Sequence, residues 1–123
     1  MTLTDAGPLV ALLNRQDRHH ARCKKALASL SVGPLITTWP CFTEAMYLLF
    51  QGGGYKAQYS LWEMYQFQRL GFHQSEPNEI ERMITVMEKY QDTPMDLADA
   101  SLVATAETLG LQLIFTLDSD FRV

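Results

Sequence analysis

Apolar and polar positions along this chain switch between two periods, and the switching predicts short strands interleaved with helices. Residues 1–4 read as a strand ending at Asp5, and Ala6-Gly7-Pro8 as a turn into an apolar run over 9–13. Asp17 is placed to N-cap a helix over 18–30, where Cys23, Leu27 and Leu30 fall on one face. Gly33-Pro34 breaks that helix, and 35–38 read as a second strand. Pro40 suits the first turn of a helix running to Gln51. Gly52-Gly53-Gly54 separates it from another over about 55–69, and Phe72-His73-Gln74 reads as a short strand. Glu76-Pro77 opens a helix to about Tyr90, with Ile80, Met83, Ile84 and Met87 at helical spacing. Asp96 caps a helix over 97–109 that Gly110 ends, and 113–116 form a last, apolar strand.

Strands that alternate with helices imply a parallel sheet covered on both faces. The expectation is an α/β fold, a small three-layer α/β/α domain with a mainly parallel sheet of about four strands. The 123 residues suit one domain, spanning 1–123, and one core. Apolar content of 47% and charged content of 20% exclude disordered and fibrous classes. No internal repeat is visible. The apolar runs are too short to span a bilayer, and the N-terminus does not read as a signal peptide. Cys23 and Cys41 have no metal-ligand spacing and read as reduced thiols of a cytoplasmic protein.

The net charge of −4 argues weakly against a polyanionic partner, but its distribution is uneven. Arg15, Arg18, Arg22, Lys24 and Lys25 lie early; Asp92, Asp96, Asp99, Asp118 and Asp120 lie late. In open α/β sheets ligands bind beyond the carboxyl ends of the strands. Asp5 ends the first strand, Glu44 sits early in the helix after the second, and Asp118 follows the last. Asp99 lies in the first turn of a helix whose N-terminus is on the same edge. Four carboxylates therefore converge, and Mg²⁺ or Mn²⁺, which prefer oxygen ligands and contact phosphate, would relieve their repulsion. Such a set fits phosphodiester hydrolysis better than zinc chemistry.

Each acid also has a structural reading. Asp5 could end a strand and start an Asx turn, and Glu44 could lie on the solvated side of an amphipathic helix opposite Phe42, Ala45, Met46 and Leu49. Against the latter, Tyr47, Leu48 and Phe50 make that helix apolar nearly all round. Asp96 fits a cap better than a ligand, Asp99 stands where the acid of a capping box would sit, and turns favour Asp118 and Asp120 without any metal.

Four segments, in order, resemble the PIN-domain family. Leu3-Thr4-Asp5-Ala6-Gly7-Pro8 resembles its opening strand and turn. Thr43-Glu44-Ala45 resembles its second acid, and Asp96-Leu97-Ala98-Asp99-Ala100-Ser101 its third, aligned with Asp99. Phe115-Thr116-Leu117-Asp118-Ser119-Asp120-Phe121 resembles its closing segment. The resemblance implies an Mg²⁺- or Mn²⁺-dependent endoribonuclease of single-stranded or structured RNA. It also implies similarity to the VapC and PilT N-terminus-like toxins of bacterial type II toxin–antitoxin pairs, usually homodimers inhibited by a small protein antitoxin. Asp5 and Asp99 would be the principal metal ligands, with Glu44 and Asp118 completing the site. Thr116 would support Asp118 through a hydrogen bond, and Asp96 and Asp120 would be accessory.

Two other functions compete. A non-catalytic PIN-fold module could bind RNA or a protein; a phosphatase using Asp5 as nucleophile lacks its second Asp, since residue 7 is Gly. His19-His20 reads as a solvated pair, because adjacent helical residues diverge. Trp39, Trp62, Tyr65 and Phe67 could stack bases but fit core or dimer packing better. The stretch 59–67 could present an apolar surface to a second protomer or an antitoxin. Ser101 has no defensible triad partners.

Overall fold

The computed structural model describes residues 1–30 and 33–117. Among them run, in order, β1 (Thr2–Thr4), α1 (Ala6–Leu13), α2 (His20–Ser29), β2 (Leu35–Thr37), α3 (Trp39–Gln66), β3 (Leu70–Phe72), α4 (Pro77–Lys89), α5 (Leu97–Leu109) and β4 (Ile114–Phe115). The four strands form one parallel sheet in the order β3-β2-β1-β4. The expected α/β fold with a small parallel sheet is thus observed.

The pleat explains the layers. Leu35 and Leu70 are register partners and point into a cluster with Ala6 and Leu9 of α1 and Phe42, Ala45, Leu49 and Leu61 of α3. Leu3, paired with Ile36 and Ile114, points the other way, against Cys41 and against Ala98, Leu102 and Ala106 of α5. Helix α4 packs on α5 through Met83, Val86, Ala100 and Ala104. From β1 the chain steps outward through β2 to β3 and then crosses back to β4 on the far side of β1. The strand order therefore reverses between β1 and β4, a position where α/β sheets leave a crevice at their carboxyl ends.

Several boundaries differ from expectation for identifiable reasons. Ala6-Gly7-Pro8 is the first turn of α1, with Asp5 as its N-cap. Pro8 is tolerated there because first-turn N–H groups need no helical partner. Asp17 does not cap α2; its carboxylate accepts from His19 N at 2.8 Å and shapes the turn before the helix. His19 and His20 are more than a solvated pair: His20 Nδ1 bonds the Ala11 carbonyl at 2.7 Å, tying α2 to α1. Thr38 leaves the strand and caps α3, accepting from Cys41 N at 3.3 Å.

The two helices expected over 40–51 and 55–69 are one element, the 28-residue α3, broken only by a kink at Gly54 (φ 68°, ψ −159°). Burial of Ala45, Leu49 and Leu61 in the same cluster outweighs the propensity cost of Gly52 and Gly53, about 1 kcal/mol each. β3 begins two residues before the expected strand, pairing Leu70 with Leu35 and Phe72 with Thr37. β4 is shorter than expected, since Leu113 is 83% exposed and stands outside the ladder.

Candidate active site

Asp5 follows β1 directly and is locked from two sides. Its Oδ1 accepts from Ala6 N at 2.7 Å, and its Oδ2 accepts from Thr116 Oγ1 at 3.1 Å. Its own backbone N–H donates to Phe115 O at 2.9 Å, extending the β1–β4 pairing by one step. Asp5 is thus held at the point where the strand order reverses. The sequence suggested Asp118 as the partner of Thr116; Asp5 accepts its hydroxyl here, while Asp118 and Asp120 lie outside the described residues.

Asp96 and Asp99 form the reciprocal capping box of α5. Asp96 Oδ1 accepts from Asp99 N at 2.8 Å, and Asp99 Oδ2 accepts from Asp96 N at 3.4 Å. The cap reading of Asp96 is correct, and Asp99 occupies the third helical position that completes the box. This pins the Asp99 carboxyl against two other acids. Burial, followed by repulsion from Asp96 and Asp5, pushes its pKa up to about 6. Burial, Asp96 and Asp5 also raise the pKa of Glu44, which stands on the first turns of α3. The expected all-round burial of that helix is not observed: Glu44 is at the surface, and Tyr47 and Phe50 are 62% and 55% exposed. Only one side of α3 meets the sheet, so the carboxylate needs no buried partner.

Asp5, Glu44, Asp96 and Asp99, from three separate segments, therefore feel one another at the carboxyl edge of the sheet. The ion pairs among the described residues, His73–Glu79 and Arg82–Glu107, involve none of them. Nor do any three His, Cys, Asp or Glu side chains among the described residues approach closely enough to hold a metal by themselves. The donor chemistry nevertheless fits a hard divalent cation. All the candidates are carboxylate oxygens, burial together with their mutual repulsion raises the pKa values of Glu44 and Asp99, and Mg²⁺ is commonly held by one or two carboxylates with water and substrate phosphate completing the shell.

Sequence reasoning missed Cys41. This residue is fully buried, with its Sγ 3.8 Å from Asp5 Oδ1 and 3.7 Å from the Ala98 carbonyl. Burial, with Asp5 and Glu44 adding to it, pushes the thiol up to about 12, so it stays protonated and is a weak donor between β1, α3 and α5. Behind it Ser101 Oγ bonds Thr38 Oγ1 and the Ala98 carbonyl, both at 2.7 Å, which accounts for Ser101 as a structural hydroxyl. No sequence signal marks this contact, because a buried cysteine on an amphipathic helix looks like any other core residue. Cys23 is likewise free and buried.

Charge is segregated across the sheet. At the edge beside Leu35, where β2 begins, a cleft of about 730 Å³ is lined by Arg15, His20, Lys24 and Arg69, remote in the fold from the acids.

A three-layer α/β domain with carboxylates gathered at the strand-order reversal defines an acid-site α/β protein. The PIN-domain family model matches residues 2–123, and the chain belongs to that family. Among solved structures, the crystal structure of Mycobacterium tuberculosis VapC20, described as a sarcin–ricin-loop-cleaving toxin, superposes with a TM-score of 0.88 at 20% identity, covering 98% of this chain and 92% of that one. A toxin–antitoxin complex from Klebsiella pneumoniae gives 0.71 at 18% identity, covering 98% and 89%. At these identities the likeness concerns the fold. No curated protein sequence matches.

Proposed function

We propose that the chain is a metal-dependent endoribonuclease, cleaving single-stranded or structured RNA as the toxin of a toxin–antitoxin pair. The observation that carries this reading is the gathering of Asp5, Glu44 and Asp99 at one edge, with Asp99 raised to about 6 by burial and then by repulsion from Asp96 and Asp5. Family membership supports it, since PIN nucleases generally use divalent ions, and so do neighbours that are toxins by description.

In this reading Asp5 and Asp99 hold Mg²⁺ or Mn²⁺, with Glu44 and Asp118 completing the site directly or through water. When bound, the ion would supply Lewis-acid activation of a water and charge neutralisation at the phosphate. The chain supplies orientation. Thr116 and the Ala6 N–H fix the two oxygens of Asp5, and the α5 capping box fixes Asp99. Asp96 serves that cap, and Asp120 is accessory. The phosphatase alternative offers no second acid at residue 7.

The partners proposed are RNA, a second copy of the chain and a small protein antitoxin. The exposed face of α3, including Tyr55 and Tyr59, and its C-cap residue Phe67 support a protein contact. A cytoplasmic location agrees with two free buried cysteines. Among the described residues no helix is long and apolar enough to cross a membrane.

The competing reading is a PIN-fold binding module without catalysis. It draws on the weak basic character of the chain, with a net charge of −4. Purified protein incubated with RNA and Mg²⁺ or Mn²⁺ separates the two. Cleavage abolished by Asp5→Asn and by Asp99→Asn is expected; cleavage that survives both overturns the mechanism, and absence of both cleavage and Mn²⁺ binding in calorimetry favours the module.

A further inference from the structure

Beside the acids lies a groove that their chemistry alone does not explain. It is an open groove of about 690 Å³ running between the first turns of α3 and the N-terminus of α5. Trp39, Pro40 and Tyr47 line one wall, Leu97 the other, and Glu44 and Asp96 lie along it. Trp39, Tyr47 and Leu97 are 42%, 62% and 50% exposed, an unusual concentration of apolar surface next to carboxylates.

The aromatic groups are held in place. The Trp39 indole stacks on Phe72 at 3.9 Å with the ring planes 5° apart, and its edge meets Phe42. One face of Trp39 is therefore braced by the core while the residue remains open to the groove. Tyr47 lies two turns further along α3, its hydroxyl accepting from Gln51 Nε2 at 2.9 Å. A ring immobilised in advance loses little entropy when another ring stacks on it.

The charge of the groove selects its occupant. Glu44 and Asp96 are the charged groups among the described residues lining it, and both repel phosphate and acidic side chains. An uncharged flat group whose edge bears N–H donors suits aromatic walls and carboxylate acceptors together.

Resting on the ribonuclease reading above, we propose that this groove seats one unpaired nucleobase of the substrate, next to the phosphate being cut. The base stacks on Trp39, Tyr47 closes the far end, and Asp96, the groove carboxylate not assigned to the metal, favours bases with an exocyclic amino group: adenine, cytosine or guanine over uracil. The groove thereby sets cleavage context, while Asp5 and Asp99 perform the chemistry.

Two measurements test this. In the first, a single-stranded RNA cut at one mapped position carries one abasic ribose, walked across the flanking positions. One position is expected to slow the wild-type protein by roughly 5- to 150-fold, the range of a single stacked base. Tyr47→Ala and Trp39→Ala are expected to slow cleavage of the intact RNA similarly but to be insensitive to the abasic ribose at that position. Uracil there is expected to be the poorest base. Because Trp39 also packs on Phe72, the largely exposed Tyr47 is the decisive variant. Equal loss for Tyr47→Ala on intact and abasic RNA overturns the proposal.

The second measurement does not need cleavage. Trp62→Phe leaves Trp39 as the sole tryptophan of two. Its fluorescence is titrated with a cleavage-resistant 2′-O-methyl oligonucleotide and with the abasic counterpart. Quenching by the first and not the second is expected. Quenching without any wild-type cleavage would sink the ribonuclease reading and leave the groove standing. No quenching, or quenching by a basic apolar peptide in place of the oligonucleotide, overturns the groove.

Discussion

Thr116 Oγ1 donates to Asp5 Oδ2 at 3.1 Å, so a residue just past the last described strand holds the carboxylate that ends the first. The two are 111 positions apart in sequence and meet only because β4 pairs with β1. Thr116→Val keeps the shape and removes the donor. Loss of such an outer hydrogen bond costs about 10- to 100-fold in metal affinity or activity. RNA cleavage and Mn²⁺ titration are expected to fall by that amount with secondary structure unchanged by circular dichroism; Thr116→Ser is expected to recover most of it.

Asp99 is partly buried near Asp96 and Asp5, and its burial together with that crowding opposes folding whenever no cation is present. Asp99→Asn removes a charge but leaves an amide that fits a helix start. In chelator its melting temperature is expected to equal or exceed that of the wild type, even though activity is lost. Excess Mn²⁺ is expected to raise the wild-type melting temperature, by the equivalent of about 2.7 kcal/mol at a hundred times the dissociation constant. The variant should show little response. A variant that melts lower in chelator and gains equally from Mn²⁺ would contradict both the crowding and the ligand role.

Glu79 belongs to a second, structural site. It is buried at 2% exposure, accepts from Glu76 N at 3.0 Å and sits 2.7 Å from His73 Nε2. Burial alone would raise its carboxyl pKa; the Glu76 N–H, His73 and Thr108 outweigh burial, and the net shift is downward. A depressed carboxyl stabilises the fold above its unfolded pKa of about 4.3 and loses that contribution as pH falls through the folded value. Urea melts stepped from pH 7 to pH 2 are therefore expected to show a loss beginning below about pH 4. Glu79→Gln should be less stable at pH 7 and show a shallower acid limb. A parallel limb would remove Glu79 as its source.

Gly54 and Gly52 should respond oppositely to alanine. Nothing lies within 4 Å of a Cβ placed on either, so sterics do not distinguish them. Gly54 holds φ 68° with ψ −159°, a conformation essentially restricted to glycine, whereas Gly52 is helical. Gly54→Ala is expected to destabilise by about 1–3 kcal/mol and Gly52→Ala to stabilise by about 0.5–1 kcal/mol, read from denaturant melts. Equal effects would mean that the kink does not depend on Gly54.

Local chemistry made much of this protein legible in advance. Apolar periodicity, the Asp96 cap, Pro40 and Pro77 at helix starts and Gly110 at a helix end mark elements by interactions within a few residues, and these stand in the structure. The α/β class followed from their alternation, and the edge on which Asp5, Glu44 and Asp99 sit followed from helices running back along a parallel sheet. Tertiary packing decided the rest, because the deciding partners are far away in the chain. The core absorbed Gly52 and Gly53 into one long helix, pairing with Leu35 and Thr37 moved β3 forward to Leu70, and the capping of α1 turned an expected turn into a first helical turn. The contact of Cys41 with Asp5, the bond from Thr116 to the same carboxylate and the groove beside Trp39 each depend on segments far apart in sequence meeting at one edge. Periodicity reports which face of a segment is buried; it does not report which distant residue will be found there.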